Sequence, residues 1–498
     1  MPRRETGSVI LPLALDRESD VPMHRQLFDQ LRGLILDGRL TPGKRLPSSR
    51  ALARDLAVSR NTITAAFDQL FAEGYLTGRV GSGSYVSDQL PEDALTARAD
   101  PGDRAAQEPR RLGLSRRGVR LAALRGKRMD RRTKAFSIGL PDLDRFPFDV
   151  WSRLMTKAWR RPPRELLANA EPAGYLPLRQ AIVDYLTTAR GVRCTADQVI
   201  IVAGVQQAIS LACHVLLDEG DVALMEEPGY PGVRGALMGA GVGTRTAPVD
   251  EEGLDIDAGE ALAPDARLVC VAPSHQYPLG VTMTLARRLK LLDWAARHDG
   301  WVLEDDYDSE YRYSGRPLSA LQGLDQGGRV VYAGTFSKVM FPSLRIGYLV
   351  VPEDLAEPFG NARAALDDHP SSIAQPALAA FIEDGHFASH LRRMRKLYAE
   401  RREALAVQLN NHFGEAISLA PSQAGMHLLA RLNGDLAPGL SDRDIQRRAA
   451  DHGVTVSALS AYYARAQDAD RGLLLGFSAV PVSAMQASVE RLTKAIGV

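Results

Sequence analysis

Residues 334–348 read GTFSKVMFPSLRIGY. A strand-like run, Val330–Tyr332, leads into them. A lysine held just past a strand, among small hydroxyls and with an arginine seven positions on, is an unusual grouping. Thr335, Ser337 and Arg345 suit a phosphate. Lys338 among them, with a lowered pKa, suits an imine with a carbonyl compound.

Three more clusters follow strand-like runs, where α/β sheets place their ligands. AGVQQAIS (203–210) follows Val199–Val202 and opens a helix, so Gly204, Val205 and Gln206 are positioned to offer backbone N–H groups to a phosphate. MEEPGYPG (225–232) carries Tyr230 on a Pro-Gly turn, able to stack on an aromatic ligand. WVLEDDYDSEY (301–311) puts Asp305 and Tyr307 just after a buried run. A carboxylate there is costly without a partner, and a protonated ring nitrogen would be one. Asp306 and Asp308 are expected to be solvated or to cap local backbone. A lysine for an aldehyde, an acid for a pyridine nitrogen, a donor for a phenolate oxygen, a stacking ring and a phosphate cradle together describe pyridoxal phosphate.

Short β-branched runs alternate with helical stretches from about residue 134 to the end. That pattern predicts an α/β domain with a largely parallel sheet, and Gln423–Leu432 and Gly472–Phe477 read as strands of a smaller C-terminal α/β subdomain. A chain of 498 residues implies more than one domain. Charge is divided: residues 1 to 134 hold 25 Lys/Arg against 16 Asp/Glu, and the remainder 36 against 44. A basic front on a mildly acidic rear points to a polyanion at the front. Cys194, Cys213 and Cys270 are scattered without metal-ligand spacing, which fits a reducing cytoplasm and no metal site. No apolar run reaches the ~20 residues of a membrane span, and the first residues carry no signal-peptide pattern. The expected location is the cytoplasm.

The front explains its charge. LPSSRALARDLAVSRNTITAAFDQLFAEGYLTGRVGSGSYV (46–86) contains two short helical patterns joined by a tight turn. Ser48 or Ser49 caps the first helix, and Ser59 the second. Ile63, Phe67 and Leu70 face inward, which turns Arg60, Asn61 and Thr64 outward as a recognition helix requires. GYLTGRVGSGSYV then reads as a β-hairpin wing whose Gly81 and Gly83 permit close approach to a backbone. Arg45, Arg50 and Arg79 are placed for phosphates. Residues 17–88 form this winged helix-turn-helix domain, 89–133 a linker with a helical piece near Val119–Leu124, and 134–498 the α/β domain.

The front resembles the DNA-binding domain of GntR-type bacterial regulators, on the motif LPSSRALA…SRNTI…EGYL…GSGSYV. The resemblance implies DNA contacts from Arg50, Ser59, Arg60, Asn61, Thr62 and Gly81. The rear resembles fold-type I aminotransferases. That resemblance makes Lys338 the Schiff-base lysine, Asp305 the partner of the ring nitrogen, Tyr307 the partner of the phenolate oxygen and Tyr230 the stacking residue. Val205, Gln206, Thr335, Ser337 and Arg345 become the phosphate cup. Three positions depart from the enzymes: Tyr277 stands where they carry asparagine, Asn169 where many carry a tyrosine, and Leu474 where the arginine for the substrate carboxylate usually lies. Arg471 and Arg465 are the remaining candidates for that arginine. The domain order resembles the MocR/GabR subfamily of regulators, and implies a head-to-tail homodimer on double-stranded operator DNA. The implied activity is sensing of a small amine, an amino-acid-type compound or the cofactor itself. The alternative is a working aminotransferase with an accessory DNA-binding head.

Overall fold

The computed structural model describes residues 11–79, 83–90, 113–124, 135–168, 170–315, 318–421, 423–434, 436, 439–465 and 469–497. The chain divides into two compact units, Met1–Leu112 and Gly113–Val498.

In the first unit, helices α1 (Met23–Leu36), α2 (Ser49–Asp55) and α3 (Arg60–Ala72) precede an antiparallel hairpin of β1 (Leu76–Arg79) and β2 (Gly83–Val86). The Ser48 side chain accepts from the Ala51 amide and caps α2; Ser59 does the same for α3 through Thr62. Each cap uses a donor that the first turn leaves free, worth about 1 kcal/mol. Leu27, Phe28, Leu31, Leu52, Ile63, Phe67 and Leu70 form the core. The unit also extends back to Leu11. Leu11, Leu13 and Leu15 pack on the core, and Ala14 exchanges two hydrogen bonds with the Gln30 side chain.

The second unit begins with α4 (Arg116–Ala123), which the Ser115 side chain caps. Its principal helices thereafter are α5 (Phe148–Arg160), α6 (Leu176–Arg190), α7 (Val205–Leu216), α8 (Pro231–Ala240), α9 (Leu285–Arg297), α10 (Gln375–Glu383), α11 (His386–Phe413) and α12 (Val482–Ile496). The large sheet has eight strands in the order β3 (Val199–Val202), β10 (Gly347–Val350), β9 (Val330–Thr335), β8 (Trp301–Asp306), β7 (Ala266–Val271), β4 (Val222–Glu227), β5 (Gly243–Asp250), β6 (Gly253–Leu254). From β9 to β5 every pairing is parallel. Runs such as VIIV in β3 and VVYAGT in β9 are buried throughout, because a sheet covered on both faces leaves no polar side. β10 is antiparallel to both β3 and β9, so β3 runs with the parallel set. The carboxyl ends of β3, β4, β7, β8 and β9 therefore share one edge. A second, antiparallel sheet of β11 (Ile417–Leu419), β12 (His427–Leu432), β14 (Gly472–Gly476) and β13 (Ser457–Ala458) forms the smaller subdomain.

α4 lies in the span read as linker, yet it packs on this second unit. Arg117 pairs with Glu219 at 2.6 Å, and Leu124 Cδ1 would stand 3.6 Å from a Cβ on Gly235 of α8. Among the described residues no helix is long and apolar enough to cross a membrane.

Candidate functional site

The shared strand edge gathers the residues singled out above. Side chains alternate along β8, so Glu304 and Asp306 leave one face and Asp305 the other. On the first face Asp306 is buried, 2.8 Å from Arg190 Nε and 2.6 Å from the Tyr332 hydroxyl. Glu304 accepts from the amides of Leu321 and Gln322. The expected solvation of Asp306 is thus corrected: a buried cation and a phenol hold it in place of water. Asp305 has no such partner. Its Oδ1 is buried without a hydrogen bond among the described residues. Burial, with Asp306 and Asp308 adding to it, pushes its carboxyl up to about 7, while Lys338 pulls the other way. A buried, unpartnered carboxyl oxygen is costly and calls for a donor. The protonated nitrogen of a pyridine ring fits that requirement.

Lys338 follows β9. It is half-buried, and its Nζ donates to the Gly139 carbonyl at 3.1 Å. Gly139 sits at φ +66°, and a Cβ there would stand 2.5 Å from Nζ, so the glycine makes room for the amine. Thr335 is buried, and its Oγ1 accepts from the Ser337 amide at 3.2 Å. Arg345 adopts left-handed backbone at φ +55° and is exposed. Its Nη1 would lie 3.4 Å from a Cβ on Gly204, the N-cap of α7. The arginine therefore meets the helix start, where the amides of Val205 and Gln206 are unused by the helix itself. That pairing sets a cation beside free helix amides, the arrangement that suits an anion such as phosphate. The Gln206 side chain is turned to the Gly232 carbonyl at 2.9 Å, which leaves its amide as the group available to a ligand.

Tyr230 stands at the N-cap position of α8, half-buried, and burial raises its phenol pKa. Its ring stands 6.1 Å from that of Tyr277, which in turn is 5.9 Å from Tyr307. The Tyr277 hydroxyl is 2.8 Å from that of Tyr462. Burial, then Asp308, holds the Tyr307 phenol well above its ordinary value, so it stays a donor. Asp308 is also not solvated: it is buried and lies 3.0 Å from His275 Nδ1. The sequence alone did not single out His275 or Tyr462. The signal nearest to hand was the position of His275 beside QYPLG, at the end of β7.

Leu474 is fully buried on β14, in an apolar cluster with Leu279, Leu429, Leu459 and Tyr462, and Tyr277 and Ile138 pack against it. Arg471 does not replace the missing cation, since its Nη2 is held by the carbonyls of Leu436 and Leu440. Arg465 is exposed. Asn169 lies outside the described residues. Among the described residues no group of His, Cys, Asp and Glu could hold a metal ion.

In the first unit Arg45, Arg50, Arg60 and Asn61 are exposed. Arg60 Nε reaches Ser49 Oγ at 3.4 Å, joining the start of α3 to that of α2. The Ser59 and Thr62 hydroxyls are 2.8 Å apart. Arg45 bridges to Tyr85 beside the wing, and its Nε would be 3.2 Å from a Cβ on Gly83. Arg79 ends β1, and Gly81 lies outside the described residues.

Comparison with known proteins agrees with both halves. Residues 23–86 match the model of bacterial regulatory proteins of the gntR family, and residues 141–472 that of aminotransferase class I and II. The chain is 43% identical to the probable rhizopine catabolism regulatory protein MocR of Rhizobium meliloti, over 97% of this chain and 95% of that protein. It is 33% identical to the pyridoxine biosynthesis transcriptional regulator PdxR of Corynebacterium glutamicum, over 94% of each. The crystal structure of Pyrococcus horikoshii kynurenine aminotransferase superposes with a TM-score of 0.66 at 28% identity, covering 73% of this chain and 90% of that one. The chain belongs to the MocR-type transcriptional regulators, in which a GntR-type winged helix-turn-helix precedes a fold-type I aminotransferase domain.

Proposed function

We propose that this regulator holds pyridoxal phosphate at Lys338 and reads a small amine, an amino-acid-type compound or the cofactor itself there. The observation that carries the reading is Asp305: a buried carboxyl oxygen without a partner, on the strand edge that also presents Lys338. When bound, the cofactor supplies an aldehyde for an amine and an electron-poor ring. Everything else is the work of this chain. Asp305 holds the ring nitrogen's proton, Tyr307 donates to the ring oxygen, and Tyr230 covers a ring face. Arg345, Thr335, Ser337 and the amides of Val205 and Gln206 hold the phosphate. An amine that competes with Lys338 frees its Nζ and changes what the site holds together. That difference in affinity between two shapes is what shifts the DNA-reading heads.

The reading includes a cytoplasmic homodimer on double-stranded operator DNA, read by Ser59, Arg60, Asn61 and Thr62, with Arg45, Arg50, Arg79 and Gly81 on the backbone. Support for a dimer comes from an apolar surface on the second unit. Phe148, Trp159, Leu167 and Ile373 are exposed there, and Ile373 also lines a 550 Å³ cavity whose wall includes Arg345. Leu474 weighs against turnover of α-amino acids, because a carboxylate against that apolar cluster would lack a cation. The second reading, a working aminotransferase with a DNA-binding head, is favoured by the completeness of the cofactor residues. Replacing Lys338 with alanine separates them. The sensor reading expects altered cofactor absorbance and loss of amine-dependent footprints; unchanged absorbance and footprints would defeat it. Sustained product formation by the wild type from amine donors and keto acids would favour the enzyme.

A further inference from the structure

Tyr307 is backed by a buried relay that none of these roles uses. Its hydroxyl lies 2.9 Å from His275 Nδ1, and Asp308 Oδ1 lies 3.0 Å from the same nitrogen. His275 follows β7 and Asp308 follows β8, neighbouring parallel strands, so the sheet brings the pair together. The imidazole is walled in. Gly425, at φ +83°, passes so close that a Cβ would stand 1.9 Å from His275 Cε1. His427 of β12 faces the ring at 5.3 Å, and burial pushes its own pKa down to about 4, so it brings no charge. Tyr307, Asp308, Tyr277 and the more distant Asp305, Glu226 and Lys338 are the other titratable groups that act at this end of the site.

One nitrogen with two oxygen neighbours poses a question of where its proton sits. A carboxylate oxygen accepts, so Asp308 Oδ1, 3.0 Å away, is the partner for a proton on Nδ1. The other ring nitrogen agrees. Nε2 is buried without a hydrogen-bond partner among the described residues. A buried N–H without an acceptor is the costlier orphan, so Nε2 is the bare nitrogen. With Nδ1 protonated, His275 cannot accept from Tyr307. We infer that Asp308 and His275 are positioning residues that keep the Tyr307 hydroxyl proton free for the ring oxygen of the cofactor. The inference rests on the proposed role of Tyr307, and it adds how that role is enforced. If Asp308 were neutral, the proton would be free to move to Nε2. Nδ1 would then take the Tyr307 proton, as a base freed from its orienting carboxylate adopts the wrong tautomer.

The test uses the full-length, cofactor-loaded chain and the pH midpoint of cofactor absorbance. The proton of the Lys338 linkage is shared with the ring oxygen. A donor to that oxygen competes for it, so losing the donor holds the proton more tightly and raises the midpoint. Tyr307→Phe is expected to raise it by about one unit, tenfold in the proton equilibrium. Asp308→Asn is expected to move it the same way, and Asp308→Asn with Tyr307→Phe no further than Tyr307→Phe alone. A wild-type midpoint in Asp308→Asn, or additive shifts in the double variant, overturns the inference. A second measurement needs no cofactor: ¹⁵N spectra of the histidine-labelled wild type, with His275 assigned by the loss of its signal in His275→Asn. The proton is expected on Nδ1, and finding it on Nε2 overturns the inference. Absence of any cofactor band in the wild type would defeat the proposed function instead, and the tautomer result would still stand.

Discussion

Asp305→Asn should flatten the pH dependence of stability in the cofactor-free protein. In the folded chain burial pushes the Asp305 carboxyl up to about 7. In the unfolded chain it titrates near the ordinary ~3.9. The folded state therefore keeps a proton that the unfolded chain releases. This contribution is fully present below about pH 4 and is lost as the pH rises to about 7. The slope is at most about 1.4 kcal/mol per pH unit. From pH 5 to pH 7 the wild type should lose up to about 2.5 kcal/mol that the variant keeps, and relaxation around the charge reduces this to about 1–2 kcal/mol. Glu304 and Glu310, pushed up to about 7 without Asp305 among the causes, add the same sign in both proteins and cancel in the comparison, whereas Glu226, pushed up to about 8 in part by Asp305, loses that part in the variant and flattens the dependence further. The assay is urea denaturation at pH 5 and pH 7, followed by tryptophan fluorescence. All four tryptophans, at 151, 159, 294 and 301, lie in the second unit, so the signal reports that unit by itself. Equal losses of stability in the two proteins would refute the reasoning.

Other outcomes follow from the same geometry. Gly139→Ala places a methyl against Lys338 Nζ and should slow or abolish formation of the cofactor's absorbance band on reconstitution, with the fold intact by circular dichroism. Arg190→Ala strands Asp306 in a buried site and should cost about 3–5 kcal/mol, read as a lower melting temperature of the second unit. Ser59→Ala removes the cap of α3 and should cost the first unit about 1 kcal/mol, measured by denaturation. Arg50→Ala should weaken DNA binding across sequences and lower the salt dependence by about one counterion, measured by anisotropy at several salt concentrations.

The sequence carried the parts of this molecule that local chemistry dictates. The Ser48 and Ser59 caps, the inward Ile63–Phe67–Leu70 stripe and the buried β-branched strands are each legible within a few residues. So is the placing of Lys338 and Tyr307 after strands, because the parallel sheet sends every such segment to one edge; Asp305, expected just past its strand, is instead the next-to-last residue of β8. What stayed hidden depends on partners far away in sequence. Asp306 looked solvated because Arg190 lies 116 residues before it, and Asp308 because His275 lies 33 before it. Strand alternation separates Asp305 from Asp306, but only the fold says which face holds the cation. The packing of α4 on α8 was equally invisible, since a short basic helix in a polar span carries no mark of the surface it meets.

The central claim is that one event at Lys338 both alters the cofactor and alters DNA binding. Cofactor-loaded protein bound to a labelled DNA fragment from upstream of its own gene should be titrated with a panel of primary amines and amino acids. Cofactor absorbance and DNA anisotropy are read in the same cuvette. The account predicts at least one compound for which both signals change with a common midpoint, and for which neither changes in Lys338→Ala. A compound that changes DNA anisotropy while absorbance stays still, or that acts equally on Lys338→Ala, would contradict it.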